Sequence, residues 1–186
     1  MTKNTYLISA QSLSKLKQRA RDIKRSSDLS HTQALDLLAK NMGTGGWKQV
    51  SDAAARYRPF ENALSGGLIA AYDRSESPDP DRFDRRMHYW PLGLGAGLYQ
   101  DIINWWADQP ADCEDDSECR PNREVLTEQE IHDACRELYG EMQVFIIPSL
   151  PSDLSLDKSL EGLIYQSSFF SPCFIWLRGD FHPALV

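Results

Sequence analysis

The sequence predicts an α+β protein, mostly α: a three-helix N-terminal module plus a helical body with a small two- or three-stranded sheet. Three observations predict it. Apolar residues recur at three- and four-residue steps through the first part of the chain, the period of helices with one buried stripe. Two uninterrupted apolar runs of strand length, Val144–Ile147 and Cys173–Leu177, lie far downstream. Charge also divides the chain. Residues 1–60 carry 11 Lys/Arg against 4 Asp, a net of +7, and residues 61–186 carry 9 against 23 Asp/Glu, a net of −14. A basic module over 1–58 and an acidic body over 59–186 follow from that division.

The first helix is expected from Ser9 to Arg25, with Leu13, Leu16, Ala20 and Ile23 as its stripe. Lys15, Lys17, Arg19, Arg21, Lys24 and Arg25 take its solvent side. A second helix opens at Ser30, where Ser30 and Gln33 have the spacing of a reciprocal cap. Ala34, Leu35, Leu37, Leu38 and Met42 would be buried, and Gly43 would end the helix, since glycine enters the left-handed region without steric cost. A third helix is expected from about Trp47 to Tyr57, burying Trp47, Val50, Ala54 and Tyr57.

The run Ser30-His31-Thr32-Gln33-Ala34-Leu35-Asp36-Leu37-Leu38-Ala39, with Gly43, Trp47 and Val50 after it and Leu16-Lys17-Gln18-Arg19-Ala20 before it, carries a resemblance. It resembles a small helical module at the N-terminus of plasmid- and phage-borne bacterial proteins labelled glyoxalase-superfamily-related. The resemblance covers about residues 9–58. It implies a helical module in a mobile-element protein. No metal-ligand set of a glyoxalase matches here, so no activity is carried over.

In the body, a short helix is expected over Glu61–Tyr72, weakened by Gly66-Gly67. Arg74–Arg82 reads as an exposed loop, because Pro78 and Pro80 exclude a helix. A helix over Leu98–Asp108 precedes a polar loop, Ala111–Arg123. Thr127 and Glu130 form a second capping pair, opening a helix to about Tyr139. A last helix is expected over Leu154–Tyr165, and Arg178-Gly179-Asp180 ends the second strand in a turn.

Each arrangement that could carry chemistry has a plainer reading. Gly93-Leu-Gly95-Ala-Gly97 lacks the third glycine of a dinucleotide loop and is read as a flexible helix entry. Cys113, Cys119, His132 and Cys135 have donor types that suit zinc, but the first pair is loosely spaced and Cys135 falls on an apolar stripe; unlinked thiols and no metal are expected. Asp112–Glu118 holds five acids in seven positions and reads as a solvated loop. Cys173 and His182 could form a nucleophile and base, but an apolar strand would keep that thiol inert. His88-Tyr89-Trp90 is expected in the core.

The function expected is a non-enzymatic bacterial interaction or regulatory protein, cytoplasmic, with no cofactor and no membrane span. Its head would contact DNA or RNA through Arg19, Arg21, Lys24, Arg25 and Lys48, or contact a protein, and its body would dock a protein partner. Base-specific reading is not expected, because Thr44-Gly45-Gly46 after Gly43 departs from the usual helix-turn-helix pattern. An acidic inhibitor covering a basic nucleic-acid-binding target and an enzyme with a dispersed site are the alternatives.

Overall fold

The computed structural model describes residues 7–74, 87–91, 98–111, 120–139, 142–151 and 172–183. The chain divides into two compact units, residues 1–62 and 63–186. In order, the elements are α1 (Ala10–Ser26), α2 (His31–Asn41), α3 (Trp47–Gly66), β1 (Leu68–Tyr72), β2 (His88–Trp90), α4 (Tyr99–Ala107), α5 (Asn122–Val125), α6 (Glu128–Tyr139), β3 (Gln143–Ile147), β4 (Phe174–Leu177) and β5 (Asp180–Pro183). The fold is α+β and mostly helical, as the sequence predicts. Among the described residues the sheet has five antiparallel strands, in the order β2-β3-β1-β4-β5, rather than two or three.

The first unit is closed by caps. Ser9 caps α1, its hydroxyl accepting from the Ser12 amide at 3.0 Å, and Ile8 before it is buried in one cluster with Leu16, Ala39, Val50, Ala53 and Ala54. The Ser30–Gln33 capping box is complete: the Ser30 amide donates to Gln33 Oε1 at 2.8 Å and the Gln33 amide donates to Ser30 Oγ at 3.2 Å. At the end of α2, Gly43 stands at φ 78°. Its amide reaches the Lys40 carbonyl at 2.9 Å and the Thr44 amide reaches the Ala39 carbonyl at 3.1 Å, the paired bonds of a Schellman stop. The Thr44 hydroxyl, buried, adds a bond to the same Ala39 carbonyl at 2.7 Å.

Two expectations for this unit are corrected. Leu37 and Met42 are each 41% exposed rather than buried. Leu37 lies about 200° around α2 from buried Leu35 at 100° per residue, and Met42 is the C-cap, past the last helical residue. The third helix does not stop near Tyr57 but runs through Pro59 to Gly66. Proline removes one helical bond, and several contacts beyond it offset that loss. Phe60 and Ala63 are fully buried, and Phe60 stacks on Tyr57 at 5.8 Å.

The second unit is built on β1, all five residues of which are buried. Leu68, Ala70 and Tyr72 share a cluster with Met87, Phe145, Ile147, Ile175 and Leu177. Ile69 and Ala71, on the other face, meet Ile146, Val144, Trp176 and Phe174 across the ladders. On that face Phe181 packs against Trp176 at 4.7 Å and stacks with Trp105 of α4 at 5.7 Å. α4 and α6 meet through Ile103, Ala107, Ile131 and Cys135. The Thr127–Glu130 cap opens α6 as expected. Asn122 and Arg123, expected in the polar loop, open the short α5, with Asn122 buried and its side-chain amide nitrogen donating to the Trp106 carbonyl at 2.9 Å. β4 and β5 are joined through Arg178 (φ 51°) and Gly179 (φ 108°), two left-handed residues in the pattern of a type I′ turn. Residues 75–82 of the expected Arg74–Arg82 loop, the Gly93–Gly97 segment, the Asp112–Glu118 cluster and the Leu154–Tyr165 helix lie outside the described residues.

The expected helix over Glu61–Tyr72 is overturned: it is the end of α3 followed by β1. The change of direction rests on Gly66-Gly67. A Cβ on Gly67 would stand 2.0 Å from the Ile147 carbonyl oxygen and 2.8 Å from Ala63 Cα, whereas one on Gly66 would meet nothing within 4 Å. Around this point the Gly67 amide donates to the Ala63 carbonyl, the Arg178 amide to the Gly67 carbonyl and the Leu150 amide to the Gly66 carbonyl. Nearby, the Trp176 indole donates to the Leu64 carbonyl at 2.8 Å. Gly67→Ala is therefore expected to destabilise by about 3 kcal/mol or more, because backbone atoms cannot yield to the methyl. Gly66→Ala, at a helical residue in open space, is expected to be neutral or stabilising by up to about 1 kcal/mol. Urea unfolding followed by tryptophan fluorescence compares the two, and equal midpoints would rule out the close approach.

Candidate nucleic-acid interface

α1 is the most cationic of the described elements, and its buried stripe settles where its charges point. Leu16 and Ala20 are buried, with Leu13 and Ile23 half-buried beside them. Measured around the axis from Leu16, at 100° per residue, Lys17, Arg21, Lys24 and Arg25 fall within an arc of about 100° on one flank. Lys15 and Arg19 fall together on the opposite flank. All six are exposed. Of the five residues singled out in the sequence, Arg21, Lys24 and Arg25 thus share a flank. Arg19 does not join them, and Lys48 stands on another helix, α3, on the side about 180° from buried Val50 and Tyr57.

Their side-chain partners differ. Arg25 pairs with Asp22 at 3.6 Å, both well exposed, and Arg21 donates to Gln18 Oε1 at 3.2 Å. Exposed contacts of this kind are worth at most a few tenths of a kcal/mol and exchange readily for a stronger ligand. The side chains of Lys15, Lys17, Arg19, Lys24 and Lys48 make no hydrogen bond or ion pair among the described residues. This leaves their charge available.

Two carboxylates that sequence reasoning missed set the polarity of the unit. Glu61, on α3, accepts the Ala10 amide at 2.9 and 3.1 Å through its two oxygens, placing a negative group at the N-terminus of α1. Asp36, on α2, accepts the Trp47 amide at 2.8 Å and so caps α3. Gln49 completes that cap from inside, its Oε1 accepting the Gly45 amide at 2.7 Å. Helix N-termini attract anions, and a carboxylate there is stabilising by about 0.3–1 kcal/mol. No adjacent residue announces either contact, since the partners stand 51 and 11 positions apart. The one signal was negative: Gly45-Gly46 offers no side-chain cap to the third helix, so its cap had to come from elsewhere. The consequence for nucleic acid is direct. The N-terminus of α3, which a helix-turn-helix reader would present to DNA, already holds a carboxylate.

The other arrangements noted in the sequence resolve as follows. Cys135 is fully buried among Ile103, Ala107 and Ile131, and burial pushes its thiol up to about 11. It is therefore a neutral core group at neutral pH. His132, one turn earlier, is half-buried with its ring 6.1 Å from Tyr99, and Cys113 and Cys119 lie outside the described residues. Cys173 is not inside the apolar strand as expected. It is exposed just before β4, its amide bonded to the Ala71 carbonyl at 2.7 Å. His182 is half-buried in β5 opposite Ile175. Of His88, Tyr89 and Trp90, only Trp90 is buried; Tyr89 is 50% exposed with its ring against Phe145 at 5.6 Å. β2 has neighbours on one side only among the described strands, so its side chains are incompletely covered.

Two measurements follow. In brief alkylation of the native protein, read by mass spectrometry, Cys173 is expected to label quickly and Cys135 only on unfolding, since reaction needs both access and thiolate. Equal labelling would contradict the burial of Cys135. In the Thr127–Glu130 cap, the backbone amide and then the hydroxyl of Thr127 hold the exposed Glu130 carboxyl below the usual glutamate value. A depressed folded value means the carboxylate contributes stability at neutral pH, and the contribution is lost as pH falls through that folded value. An NMR titration should place the Glu130 midpoint below that of an unstructured glutamate, and a midpoint at or above it would break the cap.

Comparison with protein-family models, with curated proteins and with solved structures gives no match for this chain.

Proposed function

We propose that the protein is a non-enzymatic interaction protein of bacterial mobile-element type, whose basic helical unit contacts DNA or RNA through phosphates and whose acidic second unit docks a protein partner. The observation that carries the nucleic-acid half is the flank of Lys17, Arg21 and Lys24. They stand at i, i+4 and i+7 of a helix, exposed, on a frame closed by caps at both ends of the chain's helical reversals. Cations spaced one turn apart suit a row of phosphates, and such contacts carry no sequence information. The carboxylate of Asp36 at the head of α3 argues in the same direction, toward backbone contact without base reading. Arg25 and Lys48 would contribute as secondary charges, whereas Arg19 lies on the opposite flank of α1. The mobile-element part rests on the motif around Ser30–Ala39, Gly43 and Trp47, and the partner-docking part on the net −14 of residues 61–186.

The test uses the full chain with a mixed-sequence DNA duplex and a single-stranded RNA, from low to physiological salt. Two to four phosphates neutralised would give a log–log slope of about −2 to −4 on the duplex. Lys17→Glu, Arg21→Glu and Lys24→Glu together should weaken binding to every sequence alike and flatten that slope. No binding to either nucleic acid at low salt, or binding untouched by the triple change, would refute the nucleic-acid half.

A further inference from the structure

The opposite flank of α1 differs in kind from the one just assigned. An open cavity of about 610 Å³ lies there, lined by Ser12, Lys15, Leu16, Gln18, Arg19 and Met42. We propose that this groove docks an acidic, amphipathic helix of a protein partner. Lys15 and Arg19 are one helical turn apart on the same side, and both are exposed with no partner among the described residues. Among the described residues no Asp or Glu lines the cavity. Its exposed apolar part is Met42, 41% exposed because it caps α2 instead of belonging to the buried stripe, beside the edge of Leu16, which is itself buried.

Two cations beside an apolar floor select the ligand chemistry. A phosphate backbone satisfies Lys15 and Arg19 but offers nothing to Leu16 and Met42. A purely apolar segment covers the floor and leaves the cations without counter-charge. A helix with leucine-type anchors at i, i+4 and i+7 and Asp or Glu beside them meets both demands at once. Met42 suits such a site, since its unbranched, polarisable side chain adapts to the anchor it receives. The charges add complementarity and speed of encounter, and the apolar anchors supply the contact that water cannot. α1 would then present nucleic acid to one flank and protein to the other.

The experiment selects a display library of helix-forming peptides of about 15 residues on the full-length protein, then measures the enriched peptides by fluorescence anisotropy. Enrichment of apolar anchors at helical spacing flanked by Asp/Glu is expected. Lys15→Glu with Arg19→Glu should weaken these peptides by about tenfold or more, and Met42→Ala by several-fold. Arg56→Glu with Arg58→Glu, an equal charge reversal at exposed positions of α3, should change them by less than about twofold. Circular dichroism establishes that each variant is folded. The proposal is overturned by no enrichment, by enriched peptides without acids, by equal loss in the α3 variant, or by peptides indifferent to Met42→Ala. It is also overturned if duplex binding depends on Lys15, Arg19 and Met42 together, which would make the groove a nucleic-acid surface. The Lys17–Arg21–Lys24 flank is read separately with the duplex, so failure here and failure there are distinct results.

Discussion

The second unit depends on a backbone crossing at Gly67. The carbonyl of Ile147 passes so close that no side chain fits, and the crossing turns the end of a helix into the central strand of a sheet. Everything downstream is arranged around that strand. β3 and β4 pair with its two edges, and its side chains enter both layers of core. The helix end that precedes it is satisfied by groups far along the chain: the Trp176 indole at the Leu64 carbonyl and the Leu150 amide at the Gly66 carbonyl. Backbone groups buried at such a junction must be paired, so residues more than 80 positions away are committed to this one point.

The first unit obeys a different rule. Its middle helix, α2, has only 11 residues, a length that is marginal without tertiary help. That help is partly apolar, through the clusters around Leu16, Val50 and Ala20. It is also electrostatic, because two helix N-termini are closed by carboxylates borne on other helices. In a unit with so few acids, two of them are placed where a helix dipole uses them. The cations are left on the outside, where they add charge to the surface without being spent on internal pairs.

Local signals were legible. Ser30–Gln33, Thr127–Glu130, Gly43 and the stripe of α1 each state their structure within a few residues, and each is present as read. The failures are non-local. β1 is apolar at every position because both faces are covered, which erases the alternation that marks a strand. β2 and β5 have three and four residues, too short for any periodicity. The third helix was expected to end near Tyr57, and the glycine pair was read as weakening a helix by its local cost; α3 continues to Gly66 because of contacts a sequence does not display. For the candidate site, composition gave the cations but not their division into two flanks. That division needed the buried stripe and the position of Met42 at the end of α2.

Glu61 has a bearing on how the chain can be cut. Net charge changes sign near residue 60, and a fragment designed on charge alone would end there. Such a fragment would retain every cation of α1 and lose the carboxylate that holds the Ala10 amide. It would thus be more basic than the parent and have a less well-anchored first helix. Any loss or gain of binding by it would mix two causes. The unit as folded extends to residue 62, and the last acid it needs is the first one past the point where the basic composition ends.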